Sequence, residues 1–112
     1  MDKSETQISI QTFLEILRLL QKTDKEFPLQ YALCLAEISL DEGLSLTTLA
    51  ERAQLSLSTV SRIVGSLSDY RQNNQPYGLV EIKTSQQERR RKELYLTAKG
   101  RLLLQKIAKI ME

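Results

Sequence analysis

The sequence predicts a mainly α fold (α+β in class), with four helices in succession, a two-stranded antiparallel hairpin and one closing helix. Three observations predict it. Apolar residues recur at helical spacing in windows up to about Tyr70 and again from Ala98 onward. Two stretches, "LVEIK" and "ELYLT", alternate apolar and polar residues instead, the pattern of half-buried strands. Segments rich in Pro, Gly and small polar residues separate these windows, and 112 residues suffice for one core but not two.

The first helix runs from about Ile8 to Gln21. Ile10, Phe13, Leu14, Leu17 and Leu20 form a stripe, while Ile16 and Leu19 lie outside it. Such a helix has two surfaces to bury, one in its own core and one against another chain. "TDKEFP" ends it, because Pro28 cannot continue a helix and pushes Phe27 towards an extended conformation. Leu29 to Leu40 reads as a second helix, with Leu29, Ala32, Leu33, Ala36 and Ile38 inward and Gly43 as its C-cap. Ser45 caps a short third helix, "LTTLAERA", and after the turn "QLSL" Ser56 caps a fourth that reaches about Tyr70. Gly65 inside that helix costs roughly 1 kcal/mol relative to Ala and points to a close backbone approach.

A polar loop, "SDYRQNNQPYG", bracketed by Tyr70 and Tyr77, leads into the hairpin. There Val80 and Ile82 share one face, Leu94 and Leu96 point inward, and "TSQQERRRK" forms the tip. The last helix starts near Thr97. It carries Leu103, Leu104, Ile107, Ala108, Ile110 and Met111, an apolar arc wider than one core face.

Composition narrows the chemistry. The absence of histidine excludes a Cys–His zinc site, a Cys–His pair and a Ser–His–Asp triad, and one cysteine cannot form a disulfide within the chain. No convergent acids or phosphate loop are present, so no enzyme, cofactor or metal is expected. The N-terminus does not read as a signal peptide, and no apolar run approaches the ~20 residues that cross a bilayer. A cytoplasmic, reducing location is the expectation. Cys34, on the core side of its helix, reads as a small buried hydrophobe rather than a redox sensor. Charge is distributed unevenly: Met1 to Ser61 carries five basic and nine acidic residues, whereas Arg62 to Lys92 carries seven and three. A basic surface carried on an acidic first half favours a polyanion as partner.

Two short helices joined by a tight turn, then a hairpin with a basic tip, make the layout of a winged helix-turn-helix. The second helix of the motif would lie in the major groove, with Ser58, Thr59, Ser61 and Arg62 nearest the bases and Val60, Ile63, Val64 and Leu67 facing the core. The same hydroxyls would also serve as ordinary helix caps in any protein. At the tip, Arg89, Arg90, Arg91 and Lys92 repel one another unless an anion lies close, and the backbone flanking a minor groove would supply it. Glu88 could hold one arginine in place. Arg71 and Lys83 read either as phosphate contacts or as solvated charges.

On "LQYALCLAEI", "LSLTTLAERAQLSLSTVSRIVGSL", "GLVEIK" and "ERRRKELYLTAKG", the chain resembles the MarR family of winged-helix transcription regulators. The family's Asp-x-Arg in the wing, followed by Leu-Thr-x-x-Gly, falls on Glu88, Arg90, Leu96, Thr97 and Gly100. The resemblance implies that Arg90 enters the minor groove with Glu88 as its support, and that residues 29–97 form the DNA-binding core. It also implies dimerisation through the terminal helices, 1–22 and 98–112. Three features depart from the family: the longer link "SDYRQNNQPYGLV", Thr48 in place of a capping Glu, and an end about one helix early, which speaks against a small-molecule effector. The resulting expectation is a homodimeric, sequence-specific regulator of double-stranded DNA. The alternative is a winged-helix module that holds a protein partner in a replication, defence or mobile-element complex.

Overall fold

The computed structural model describes residues 3–68, 77–88 and 91–112, apart from the Lys3 side chain. Its elements are α1 (Lys3–Thr23), α2 (Leu29–Leu40), α3 (Leu46–Ala53), α4 (Leu57–Leu67), β1 (Val80–Thr84), β2 (Lys92–Leu96) and α5 (Ala98–Met111). This is the expected winged helix-turn-helix order. Tyr70, Arg71, Arg89 and Arg90, singled out above, lie outside the described residues.

The core gathers on α2, α3, α4 and the hairpin, where Ile38, Leu49, Val60, Leu67 and Leu94 are completely buried. In α2 the inward face differs from the expected one. Cys34, Leu35 and Ile38 are buried, while Leu29 is 84% exposed and Leu33 and Ala36 also face outward. The segment "LQYALCLAEISL" is apolar around most of its circumference, so spacing alone cannot choose the face; contact with α3 and α4 chooses it. In α1, Leu19 and Leu20 pack against the core, whereas Ile10, Phe13, Leu14 and Leu17 are exposed.

Helix starts follow a repeated device. Ser45 Oγ accepts from the Thr48 amide (3.1 Å) and donates to Thr48 Oγ1 (3.0 Å). Ser56 Oγ does the same with Thr59, at 3.2 and 2.8 Å. A threonine therefore occupies the place of the glutamate of an ordinary capping box, and its hydroxyl accepts from the serine hydroxyl instead of from the N-cap amide. The turn between α3 and α4 places Gln54 in the left-handed region (φ 58°), where glycine is the usual residue. Helix α2 ends at Leu40, and its C-cap is Asp41, not Gly43. Gly43 instead takes φ +96° to turn the chain alongside β2.

β1 and β2 pair antiparallel in the register Val80↔Leu96 to Thr84↔Lys92. The other edge of β2 is covered too: Gly43 N–H donates to the Leu94 carbonyl (2.7 Å), and Leu94 N–H donates to the Leu44 carbonyl (3.0 Å). The wing is thereby fastened to the α2–α3 connection. Its base is also welded to α5. Thr97 Oγ1 caps α5 by accepting from Gly100 N–H (3.0 Å) and donates to the Gly78 carbonyl (2.6 Å). Gly100 passes so close to Leu79 that a Cβ there would stand 2.1 Å from its carbonyl oxygen. That contact gives a physical reason for the glycine of Leu-Thr-x-x-Gly.

Candidate nucleic-acid interface

Helix α4 is amphipathic in the sense the sequence predicts. Val60, Ile63, Val64 and Leu67 are buried, which turns Ser58, Ser61 and Arg62 outward. Thr59 is half-buried and its hydroxyl accepts from Ser56, so it belongs to the cap more than to the open face. Ser58 Oγ also lies 3.2 Å from Ser56 Oγ. Gly65 lies on the same side of α4, one helical turn from Ser61 and two from Ser58. The expected close approach is missing, because among the described residues nothing lies within 4 Å of where its Cβ would stand.

Beside α4 stands the wing. Its tip folds on Ser85, a buried residue whose hydroxyl accepts from the amides of Gln87 and Glu88, both at 3.2 Å. Ser85 N–H donates to the Arg91 carbonyl and Arg91 N–H to the Glu88 carbonyl, each at 2.9 Å. This turn leaves the side chains of Glu88, Arg91 and Lys92 exposed. Farther up the wing, the Lys83 ammonium sits 4.9 Å from the Tyr95 ring centroid, a cation–π contact rather than a free solvated charge.

Between α4, the wing and the start of α3 lies an open cleft of about 560 Å³. Ser61 and Leu57 line one side, Arg91, Lys92 and Glu88 the other, and Ser45, Leu46, Thr47 and Thr48 close the end. Of the residues expected at the site, the cleft brings together Ser61, Glu88, Arg91 and Lys92. Ser58 and Arg62 share the outward face of α4 but do not line it. Reading the sequence missed the hydroxyls of α3. Their signal is the parallel between "SLTT" and "SLST", two helix starts of one chemistry. Such a cleft, with two cations, several hydroxyls and the amides of a helix start, is suited to phosphate oxygens.

Two electrostatic features lie outside the cleft, at the wing base and in the core. Glu42 accepts from Leu96 N–H (2.8 Å) and forms two bonds with the Arg101 guanidinium (2.8 and 3.2 Å). The Arg101 bonds first, and the Leu96 amide second, hold its carboxyl below the usual glutamate range. Burial, and then the charge of Glu37, push the Cys34 thiol up, away from the reactive thiolate. Among the described residues no group of three or more His, Cys, Asp or Glu could hold a metal ion, and no helix is long and apolar enough to cross a membrane.

Residues 9–71, more than half of the chain, match the family model of the IclR helix-turn-helix domain. The chain belongs to that helix-turn-helix family. A search of curated proteins finds no match. Among solved structures, the S. aureus MepR–DNA complex is similar with a TM-score of 0.77 and 20% identity, over 98% of this chain and 83% of that one. MarR is similar with a TM-score of 0.66 and 22% identity, over 95% and 71% of the two chains. The transcriptional repressor CouR, bound to a 23-mer DNA duplex, gives a TM-score of 0.66 and 20% identity, over 96% and 69%. At these identities the likeness is one of fold. The resemblance to MarR regulators therefore holds for the winged architecture, while the family match is to the IclR domain.

Proposed function

We propose that this chain is a MarR-like transcription regulator that binds double-stranded DNA in a sequence-specific way, as a homodimer. Helix α4 enters the major groove and the wing reaches the flanking minor groove. One observation carries the reading: the buried face of α4 turns Ser58, Ser61 and Arg62 outward, next to a cleft whose far wall is Arg91 and Lys92. Serine hydroxyls allow close approach to base edges, Arg62 can reach guanine or phosphate, and the wing cations neutralise backbone charge. The DNA-bound state of MepR and CouR supports the reading. By the resemblance to MarR regulators, Arg89 and Arg90, which precede Arg91 in sequence, would add to this charge, and Glu88 would support Arg90.

A second observation favours the dimer. Ile10, Phe13, Leu14 and Leu17 expose 59, 56, 44 and 40% of their surface in one stripe along α1. The radius of gyration, 15.3 Å, also exceeds the roughly 13 Å of a compact domain of this length. A second copy would cover that stripe and set two α4 helices about 34 Å apart, one turn of duplex.

The test is fluorescence anisotropy of a labelled duplex, repeated from low to physiological salt. Binding should weaken linearly in log–log form, with a slope of about −0.9 per phosphate contact. Arg90→Ala or Arg91→Ala should lower affinity on every sequence and shrink the slope by about one contact per site. Arg62→Ala or Ser61→Ala should instead reduce the preference for a selected site by about 1–3 kcal/mol. No binding at low salt would overturn the proposal.

A further inference from the structure

Helices α3 and α4 begin alike, each with a serine cap followed by a leucine, yet the two leucines differ in what they touch. Leu46 packs against the core, whereas Leu57 stands outside it and is 51% exposed. Among the described residues, the other large hydrophobics this open lie on α1, α2 and α5; Leu57 is the one on α3, α4 or the hairpin. Its position is specific as well. It lines the cleft together with Ser61, one helical turn further along α4, and the wall opposite carries Arg91 and Lys92. An apolar side chain thus opens onto a surface otherwise made of hydroxyls and cations.

Helix α4 in a major groove would present its first turn to the base edges, and Leu57 is its first residue. The base edges there offer donors and acceptors, and thymine alone adds an apolar group, the C5 methyl. A serine hydroxyl bonds to donors and acceptors alike, so Ser58 and Ser61 discriminate little by themselves. Leucine discriminates in both directions. Against thymine it covers a methyl group; against cytosine it would take the N4 amino group out of water with no acceptor in return. On the duplex reading above, we infer that Leu57 is a specificity residue that packs on the C5 methyl of one thymine in each half of the recognised site.

The experiment starts from a duplex selected by the wild-type protein out of a random library. Each thymine of that site is replaced singly by deoxyuridine, which removes the C5 methyl and keeps every hydrogen-bonding group of the edge. Fluorescence anisotropy then compares wild type, Leu57→Ala and Leu57→Met on each duplex, with far-UV circular dichroism as the check on folding. At one position in each half-site the replacement should weaken wild-type binding about fourfold, the worth of covering one methyl group. Leu57→Met keeps an apolar body and should keep that sensitivity, whereas Leu57→Ala should bind the thymine and uracil duplexes equally. A selected site without thymine, uracil without effect on the wild type, or an equal effect on wild type and Leu57→Ala would overturn the assignment of Leu57 and leave the duplex reading standing. A library from which no duplex is enriched would overturn both.

Discussion

Replacing Gly100 with alanine adds one methyl group at a place where the fold has no room for it. The new Cβ would stand 2.1 Å from the Leu79 carbonyl oxygen and 3.0 Å from its carbonyl carbon. An ordinary C···O contact needs roughly 3.4 Å, so the start of α5 must retreat by more than about 1 Å from a backbone that cannot rotate aside. Retreat stretches the bonds from Thr97 N–H to Leu79 O (3.1 Å) and from the Thr97 hydroxyl to Gly78 O (2.6 Å). Overpacking costs about 1–3 kcal/mol and each lost hydrogen bond about 1, offset by about 1 kcal/mol for alanine over glycine in a helix. The net loss is about 2–4 kcal/mol, or a Tm lower by roughly 8–15 °C for a domain of this size. Gly65→Ala is the matched control. It adds the same methyl group where nothing described lies within 4 Å, and should gain about 1 kcal/mol. Thermal melts followed by circular dichroism read both. A Gly100→Ala melt within about 2 °C of wild type, or above it, would show that α5 does not rest on Leu79 as described.

Other outcomes follow from single contacts. Because the folded-state pKa of Glu42 is depressed, its contribution is present above the ordinary glutamate pKa of about 4.3 and is lost as pH falls through the lower folded value. Glu42→Gln should therefore melt below wild type at pH 7, with a gap that narrows under about pH 4.3; an unchanged gap in acid would refute the pairing. Gln54→Gly relieves a left-handed non-glycine residue and should raise the urea midpoint by up to ~1 kcal/mol of stability, whereas a drop would deny the strain. Cys34 should react with a thiol reagent only as fast as the chain opens, and at once in urea; rapid reaction of the native protein would contradict its burial. Phe13→Glu with Leu17→Glu should give a monomer by sedimentation while leaving the melt of the core little changed. A dimer that persists would move the partner surface elsewhere.

How much of this was legible in the sequence depends on what each element touches. Helix α3 and the start of α4 could be read to the residue because "SLTT" and "SLST" carry their own start signals, and α4 has one clean apolar face. The end of α4 could not, since the helix stops at Leu67 with Ser68 as its C-cap, short of the expected Tyr70. The faces of the hairpin strands followed from the alternation in "VEIK" and "ELYL", which does not by itself choose the register Val80↔Leu96. The inward face of α2 was misread because nearly every side of it is apolar, and the choice belongs to its neighbours. Gly43 illustrates the same limit: a glycine just past a helix resembles a cap, yet its role is to lead the chain alongside β2, a pairing between residues fifty positions apart. Glu42 gave no local signal either, since both its partners, Leu96 and Arg101, are distant in sequence. At the site, periodicity found the outward residues of α4, but not the cleft, which exists only once α3 and the wing meet them.

These long-range bonds also decide how the wing is held. At its base, Glu42 grips the Leu96 amide and Arg101, Thr97 bonds both Gly78 and Leu79, and Gly100 abuts Leu79. Leu79 in turn bonds Leu67 at the end of α4. Five elements thus meet around a few backbone groups, so α5, the wing base and the end of α4 must shift together or break several bonds at once. At the tip, by contrast, the described bonds are those of one local turn on Ser85. A change in α5 is therefore expected to reach the basic tip as a rotation of the whole wing about its base, carrying Arg91 and Lys92 towards or away from Ser61 across the cleft. The cleft width, rather than the conformation of either wall, is the quantity through which the terminal helices can act on the proposed DNA-binding surface.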